Sequence, residues 1–209
     1  MSNYLKLKKM LYIVAIAAIA IVIGFIQIPW GFLKLDFSEV IILLAVLILG
    51  TKEAILAAVL RSLIRAMFTG FLDPITILGE ILAILASLSI IMAYSLIKRV
   101  LNKNDKPFLY EVPVNGKSIS IKEWVLTVSA ITVSLTLILL IFNTLISTPM
   151  YYTYFTIYSM FGYLEQTGQS FLSYLWLNIG LYVPFNLVKG IAVSVIFLMI
   201  KPRIKYLQL

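Results

Sequence analysis

Long runs of apolar residues, separated by short polar segments, make up most of this chain. A run of about 20 apolar residues is long enough to cross the hydrocarbon core of a bilayer as a helix. The second and third runs are shorter, and Ser38 is suited to begin the second helix and Gly50 to end it. The pattern predicts six helices, over residues 8–28, 38–50, 53–70, 74–100, 122–148 and 172–200.

The amino-acid composition indicates which fold class these predicted helices belong to. Of the 209 residues, 62% are hydrophobic, and the mean hydropathy of +1.03 lies far above the range of soluble proteins. Six spans with short connections take up a chain of this length, so no soluble catalytic module fits beside them. We therefore expect an all-α integral membrane protein, with a single membrane domain over residues 1–209 that forms a six-transmembrane-helix bundle in the lipid bilayer.

The basic residues are distributed unevenly between the polar segments. If the N-terminus is placed in the cytoplasm, the inner segments hold thirteen Lys or Arg residues and the outer segments hold only Lys34. Cytoplasmic segments of membrane proteins are enriched in these residues, so we expect both termini to be cytoplasmic. The same placement predicts a cytoplasmic loop at 101–121 and an extracellular loop at 148–171. We expect the chain to cross a cell membrane, of the prokaryotic plasma membrane type, several times. The net charge of +8 is then explained by the basic cytoplasmic segments and not by nucleic acid binding.

The residue types that are absent exclude several kinds of chemistry. The chain has no Cys and no His, which excludes disulfides, zinc or haem ligation by these residues, and Ser/His or Cys/His catalysis. No phosphate-binding loop of the G-x-x-x-x-G-K-[ST] type occurs, so ATP is not bound through that motif. We expect that the chain is not an enzyme and that it has no metal site and no resident cofactor.

Two polar residues interrupt the last predicted span. Lys189 lies near the middle of that span, where a lysine costs about 2.5 to 3.5 kcal/mol on insertion scales, so it is expected to face the interior of the bundle. Asn186 lies three residues earlier and shares its helix face, and Pro184 frees a backbone carbonyl close by. Lys189 serves either a ligand or a structural ion pair with a carboxylate such as Glu80.

Glu80 and Asn143 are further polar residues within predicted spans. Glu80 lies about two turns into the fourth helix, and Asn143 lies near the outer end of the fifth. Both can converge with Asn186 and Lys189 on the outer half of the bundle, where donors and acceptors would line one cavity. For Asn143, a role as a hydrogen-bonding residue between helices is an alternative.

Two arginines share one face of the third helix. Arg61 and Arg65 are four residues apart, and we expect them to extend toward the outer headgroups or to pair with Asp73. A ligand role for Arg61 is a second possibility.

Five sequence segments resemble, in order and spacing, the riboflavin-specific S components of energy-coupling factor (ECF) transporters. "PFNLVKG" at 184–190 and "GFLKLDFSEV" at 31–40 carry most of the resemblance. The resemblance extends over nearly the whole chain. The other segments are "LGTKEAILAAVLRSLIR" at 49–65, "LGE" at 78–80 and "FNTLISTPMY" at 142–151.

The resemblance implies a six-helix bundle with an outward-facing vitamin pocket, covered by the loop after helix one. It implies that Asn143, Asn186 and Lys189 bind the edge of the isoalloxazine ring and that Glu80 binds the ribityl hydroxyls. The capping region would contain Leu35, Asp36 and Phe37. The transported ligand would be riboflavin, with FMN or another vitamin as the alternative, and an intramembrane enzyme or a structural membrane subunit is less consistent with the sequence.

The resemblance also implies partners. These are an ECF transmembrane coupling protein and two ATPase subunits, which would supply the energy of ATP. Related chains carry Ala-x-x-x-Ala on helix one for docking to the coupling protein, and the aligned positions here are Val14 and Ala18. Ala20 and Gly24 form a second small-residue pair, which would either replace that docking strip or serve packing inside the bundle.

Overall fold

The computed structural model describes residues 3–31, 33–101 and 119–207. The predicted cytoplasmic loop at 101–121 lies almost entirely outside these described residues. The described chain is mainly helical, and one short hairpin follows the first helix. Its helices are α1 Asn3–Phe25, α2 Ser38–Ile48, α3 Thr51–Thr69, α4 Pro74–Val100, α5 Ile121–Phe142, α6 Thr148–Tyr152, α7 Met160–Thr167 and α8 Phe171–Ile200.

Local sequence signals begin the long helices. Asp73 caps α4, because its carboxylate accepts from the backbone N–H groups of Ile75 and Thr76, and Pro74 occupies the first turn. Ser120 and Ser170 cap α5 and α8 in the same way. Gly50 lies between the end of α2 and the start of α3, and its φ of 109° is a conformation that favours glycine.

Four helical segments in the described part of the chain are long and apolar enough to cross a membrane. The helix α2 is apolar but has only 11 residues, and α3 carries two arginines within its 19 residues. The count of six spans and the position of the termini therefore remain predictions. The four segments are Lys6–Phe25, Pro74–Val100, Ile121–Tyr152 and Phe171–Ile204.

A β-hairpin follows α1 where the sequence predicted only a loop. Strand β1, Ile28–Trp30, pairs antiparallel with β2, Leu33–Leu35, so that Trp30 lies opposite Leu33. Gly31 in the turn has a φ of 63°, which is why a glycine suits this position. We call the end of the bundle that carries this hairpin the hairpin end, and the other end the opposite end.

The predicted extracellular loop at 148–171 is largely helical. The helix α5 continues through one π-helical turn, Asn143–Ser147, directly into α6, and α7 follows. Tyr154 and Phe155, between α6 and α7, have positive φ angles of 50° and 65°. The polypeptide after α5 therefore consists of short helices and tight turns instead of an open loop.

The apolar core lies in the half of the bundle away from the hairpin. Ile90 and Ile91 of α4 pack there with Ile131 of α5 and Phe197 of α8, all fully buried. The helices α5 and α8 approach closely at Gly190, where an added Cβ would lie 2.7 Å from the Cα of Thr132. This close approach fixes α8 against α5 and thereby positions the polar residues at the hairpin end.

Candidate ligand-binding site

A cavity of about 440 Å³ lies at the hairpin end, between the hairpin and helices α3, α4, α5 and α8. Apolar side chains such as Leu78, Leu139 and Phe185 form part of its walls. Its volume lies within the range of roughly 300 to 1,000 Å³ that is usual for small-molecule sites. The cavity can therefore hold one ligand of the size of a vitamin.

The hairpin forms one wall of this cavity. Leu33 and Lys34 of β2 line it. The ring of Trp30 in β1 packs edge to face against Phe185 of α8, with 6.4 Å between the ring centroids. A ligand in the cavity would thus contact the hairpin on one side and helix α8 on the other.

The residues of α8 that line the cavity are spaced so that they lie on one face of the helix. Tyr182, Phe185, Asn186 and Lys189 all line the cavity, which confirms that Asn186 and Lys189 share an inward face. Pro184 lies in the same stretch and cannot donate to the carbonyl of residue 180, so the backbone there is locally freed.

Several polar atoms of the lining residues have no hydrogen-bond partner within the described chain. These are Asn186 Nδ2, Glu80 Oε2 and Ser147 Oγ, all buried. The side chain of Asn143, 5% exposed, also makes no hydrogen bond to a described residue. A buried polar atom without a partner costs about 1 to 3 kcal/mol, so such atoms are rare unless they serve a ligand or water. Other buried polar atoms without a partner lie elsewhere in the described bundle, but these three belong to residues that line one cavity and are available to a polar ligand there.

An ion pair between α3 and α4 borders the cavity. Arg65 Nε donates to Glu80 Oε1 at 2.6 Å, and Arg65 Nη1 lies 3.7 Å from Asp36 Oδ2. The same guanidinium approaches the carbonyl oxygen of Gly24 at 3.5 Å. Arg65 thus links α1, the loop before α2 and α4 around the cavity.

A second ion pair joins α8 to α2. Lys189 Nζ donates to Glu39 Oε1 at 3.0 Å, and Glu39 is fully buried. The predicted alternative of an ion pair between Lys189 and a carboxylate is present, but the partner is Glu39 and not Glu80, which pairs with Arg65. Glu39 Oε2 has no partner in the described chain. The lysine is therefore charge-paired, and it still lines the cavity.

Arg61 is linked through Ser38 to Asp36, the second carboxylate beside Arg65. Its Nη1 donates to Ser38 Oγ at 2.8 Å, and its Nη2 donates to the carbonyl of Ala83 at 3.1 Å. The hydroxyl of Ser38 in turn donates to Asp36 Oδ1 at 2.5 Å. Burial raises the pKa of Asp36, but the cation of Lys189, the hydrogen bond from Ser38 and the two arginines lower it more, so that the pKa lies below its ordinary value.

Three cations and three carboxylates thus form one buried network with no net charge, and we call it the charge network. It consists of Arg61, Arg65, Lys189, Asp36, Glu39 and Glu80.

The expected placement of the two arginines is wrong. Arg61 is fully buried and Arg65 is 7% exposed, so neither extends to headgroups. Asp73 caps α4 instead of pairing with them. A burial this complete is tolerated because each guanidinium has a carboxylate or hydroxyl partner.

The predicted capping residues separate in the structure. Asp36 lines the cavity, but Leu35 and Phe37 are absent from its lining. Leu35 is buried and Phe37 packs partly against the apolar core, because successive residues near a strand end point in different directions. Ser147, Tyr182 and Arg65 also line the cavity, and none of them was predicted from the sequence as a lining residue. Tyr182 could have been found from its spacing of four residues before Asn186.

The four predicted docking positions on α1 lie on two different faces. Val14 and Ala18 are exposed on the outside of the bundle. Ala20 is fully buried, and a Cβ at Gly24 would lie 2.8 Å from Arg65 Nη1, so both residues serve internal packing. The prediction that Ala20 and Gly24 replace the docking strip is therefore wrong, and Val14 and Ala18 remain predicted docking positions.

Comparison with known proteins decides the family. The family model described as "ECF transporter, substrate-specific component" matches residues 8–201. The chain belongs to the substrate-specific components of ECF transporters. This S component is therefore a membrane protein of a transport family.

Two bacterial relatives of the S component are similar over more than nine tenths of their length. The riboflavin transporter RibU of Staphylococcus aureus (strain TCH60) is 28% identical over 207 residues, which cover 97% of this chain and 93% of that protein. The riboflavin transporter FmnP of Bacillus subtilis (strain 168) is 22% identical, with 96% and 94% coverage.

A solved structure, that of the S component of a bacterial ECF transporter, has the same fold. It superposes with a TM-score of 0.65 at 24% identity and covers 97% of this chain and 98% of its own. The likeness supports the helical architecture of the S component.

Proposed function

We propose that this S component binds riboflavin and is the substrate-binding subunit of a vitamin importer, without catalytic activity of its own. The observation that carries the proposal is the set of unpartnered polar atoms on Asn186, Glu80 and Ser147 around a cavity with apolar walls. A planar, heteroatom-edged ring attached to a polyol needs this combination of apolar surface with donors and acceptors. The two similar riboflavin transporters support the same ligand.

Each polar residue has a chemically suited part of the ligand. The amides of Asn143 and Asn186 can donate and accept at the ring edge, and the ammonium of Lys189 can only donate. The carboxylate of Glu80 accepts one bond from Arg65, and its second oxygen is available to a ribityl hydroxyl. In this arrangement Lys189 retains its ion pair with Glu39 while it contacts the ring.

The proposal includes an orientation and partners. The cavity opens to the outside, both termini are cytoplasmic, and the six predicted helices all cross the cell membrane. Release of the ligand inward then requires an ECF transmembrane coupling protein and two ATPase subunits. The uneven distribution of basic residues supports this orientation.

Ligand binding is tested on the purified protein in detergent. Riboflavin fluorescence should be quenched on titration, with one ligand bound per chain. Asn186→Leu should weaken binding roughly tenfold to a hundredfold, because a polar atom of the ligand loses its partner, while the empty protein should be at least as heat-stable as before. The matched control Gln166→Leu removes an exposed amide on α7 and should bind like the unaltered protein.

The outcomes of this titration separate the alternatives. Absence of quenching at micromolar protein would contradict riboflavin as the ligand. Tighter binding of FMN than of riboflavin in the same assay would reassign the ligand within the flavins. Equal weakening by Asn186→Leu and Gln166→Leu would contradict the location of the site.

Orientation is tested separately with introduced cysteines, since the chain has none of its own. A cysteine at Gly168 should react with an impermeant thiol reagent in intact cells. A cysteine at Asn104, in the predicted cytoplasmic loop, should react only after permeabilisation. Equal reaction of both in intact cells would overturn the predicted orientation.

A further inference from the structure

A second polar cluster lies behind the cavity wall, between α8 and the π-helical turn. It contains Tyr174 and Asn178 of α8, at a spacing of four residues, and Thr148 at the start of α6. All three are at most 1% exposed, and none of them lines the cavity. We call these three residues the back cluster. Tyr182, one turn further along α8, joins this cluster to the cavity.

Pro149 explains why the helix needs support at this point. The N–H of Thr148 donates to the carbonyl of Asn143, five residues back, and so closes the π turn. The carbonyl of Thr144 is then left without a helical donor, because Thr148 is already used and Pro149 has no N–H. A buried carbonyl in this state requires a donor from elsewhere.

Tyr174 supplies that donor. Its hydroxyl donates to the carbonyl oxygen of Thr144 at 2.7 Å. The π turn is thereby attached to α8 at the carbonyl that the turn itself leaves free. The residues that flank this carbonyl on the cavity side are Asn143 and Ser147.

The remaining hydrogen bonds of the back cluster have a fixed direction. Asn178 Nδ2 donates to the carbonyl of Tyr174 at 2.8 Å, so the other side of the amide, Oδ1, must accept. Thr148 Oγ1 donates its one proton to Asn178 Oδ1 at 2.7 Å. The contact of 2.9 Å between Thr148 Oγ1 and Tyr182 OH is therefore a bond that Tyr182 donates. Each hydroxyl in this series of hydrogen bonds between α8 and α6 thus has one allowed orientation.

We infer that the back cluster positions Asn143 and Ser147 for the ligand and so sets the affinity for the flavin ring edge, an inference that rests on the proposed function. Tyr174 acts on Asn143 through the π turn, and Thr148 holds the end of that turn to α8. Tyr174 and Thr148 are positioning residues, since neither lines the cavity.

A double-mutant cycle on the full-length protein tests this coupling. Riboflavin affinity is measured for Tyr174→Phe, for Asn143→Ala and for both changes together. Tyr174→Phe should weaken binding about tenfold, because the turn loses its attachment. In the Asn143→Ala background the same change should weaken binding less than twofold, because the residue that Tyr174 positions is gone. The matched control Tyr163→Phe, whose ring lies 5.5 Å from Tyr174, should leave the affinity unchanged.

A second pair of variants guards against a general loss of folding. Thr148→Val keeps the shape of the side chain and removes its hydroxyl, whereas Thr148→Ser keeps the hydroxyl. Thr148→Val should weaken riboflavin binding severalfold, and Thr148→Ser should bind riboflavin with an affinity within about twofold of that of the unaltered protein. The thermal midpoint of each empty variant is measured alongside.

The results distinguish this inference from the proposed function. Absence of riboflavin binding by the unaltered protein would overturn both. Binding by the unaltered protein, with fully additive losses for Tyr174→Phe and Asn143→Ala, would overturn only the positioning role. Equal binding by the Val and Ser variants at position 148 would likewise overturn it.

Discussion

The two halves of the bundle use charge in different ways. At the hairpin end, the charge network lies within the helix packing and borders a cavity. At the opposite end, Lys9 pairs with Glu53, and Lys201 pairs with Glu123 at 2.6 Å, near the positions where helices begin or end. Between them the core is apolar. Six of the seven buried charged residues in the described chain belong to the charge network at the candidate site, and the seventh, Glu123, lies in the first turn of α5.

This difference indicates that the charges at the hairpin end serve function more than stability. Buried ion pairs contribute little net stability over well-packed apolar residues, because desolvation offsets the attraction. A chain that needed only a stable bundle would fill the hairpin end with Leu and Ile, as it fills the other half. The retained charges at the hairpin end are therefore best explained by a ligand that requires polar partners.

The largest expected effect comes from breaking one pair of the charge network. Arg65→Met leaves Glu80 and Asp36 as buried carboxylates without their nearest cation, and should lower the free energy of unfolding by about 3 to 5 kcal/mol. Lys9→Met at the opposite end should lower it by about 1 kcal/mol or less. Both are measured by chemical unfolding in mixed micelles. Equal losses would erase the contrast between the two halves.

The next effect concerns the ligand. Lys189→Met should lower riboflavin affinity by about 1.5 to 3 kcal/mol, the range for a hydrogen bond to a charged group. The single variant should also lose stability, since Glu39 is left buried and unpaired. Adding Glu39→Gln should restore stability but not affinity. If the double variant regained its affinity, Lys189 would be a structural residue only.

Close packing between α5 and α8 gives a smaller effect. Gly190→Ala should lower the free energy of unfolding by about 1 to 3 kcal/mol, because the new Cβ meets the backbone of Thr132. The matched control Gly180→Ala, on the same helix with no atom near its Cβ, should change it by about 1 kcal/mol or less. Thermal unfolding of the two empty variants compares them. Similar midpoints would show that the helices separate easily.

The smallest effect on the isolated protein is expected on the outer face of α1. Ala18→Leu should change neither stability nor riboflavin binding, because Ala18 is exposed. It should reduce co-purification with the coupling protein and ATPase subunits if the exposed strip with Val14 is the docking surface, since close approach of helices needs small side chains. Full assembly of the Ala18→Leu variant would exclude this strip.

Periodicity and burial rules were sufficient for the parts of the fold that depend on one helix at a time. The predicted range 74–100 coincides with α4, because Asp73 and Pro74 are strong start signals. The inward face of Asn186 and Lys189 followed from their spacing of three residues. The expectation that polar residues within spans face a cavity also agreed with the lining that Glu80, Asn143, Asn186 and Lys189 form.

The errors concern contacts between distant segments. Which carboxylate pairs with Lys189 depends on how α2 and α8 pack, and spacing along one helix carries no information about that. The burial of Arg61 and Arg65 could not be inferred because their partners lie on other elements. The hairpin was missed because two strands of three residues give too short an alternation to recognise. Pro149 was a usable signal for the irregular turn before it.

The pairing of Glu39 with Lys189 has a consequence for biogenesis. The two residues are 150 positions apart in the chain, so during synthesis the carboxylate emerges long before the cation that neutralises it. If α2 and α3 cross the membrane as predicted, α2 carries a charge that lipid does not accept until α8 leaves the translocon, and an inserted arginine on α3 costs about 2.5 to 3.5 kcal/mol. Helices α2 to α4 are then expected to stay together near the insertion machinery until the last helix arrives and completes the set of charges.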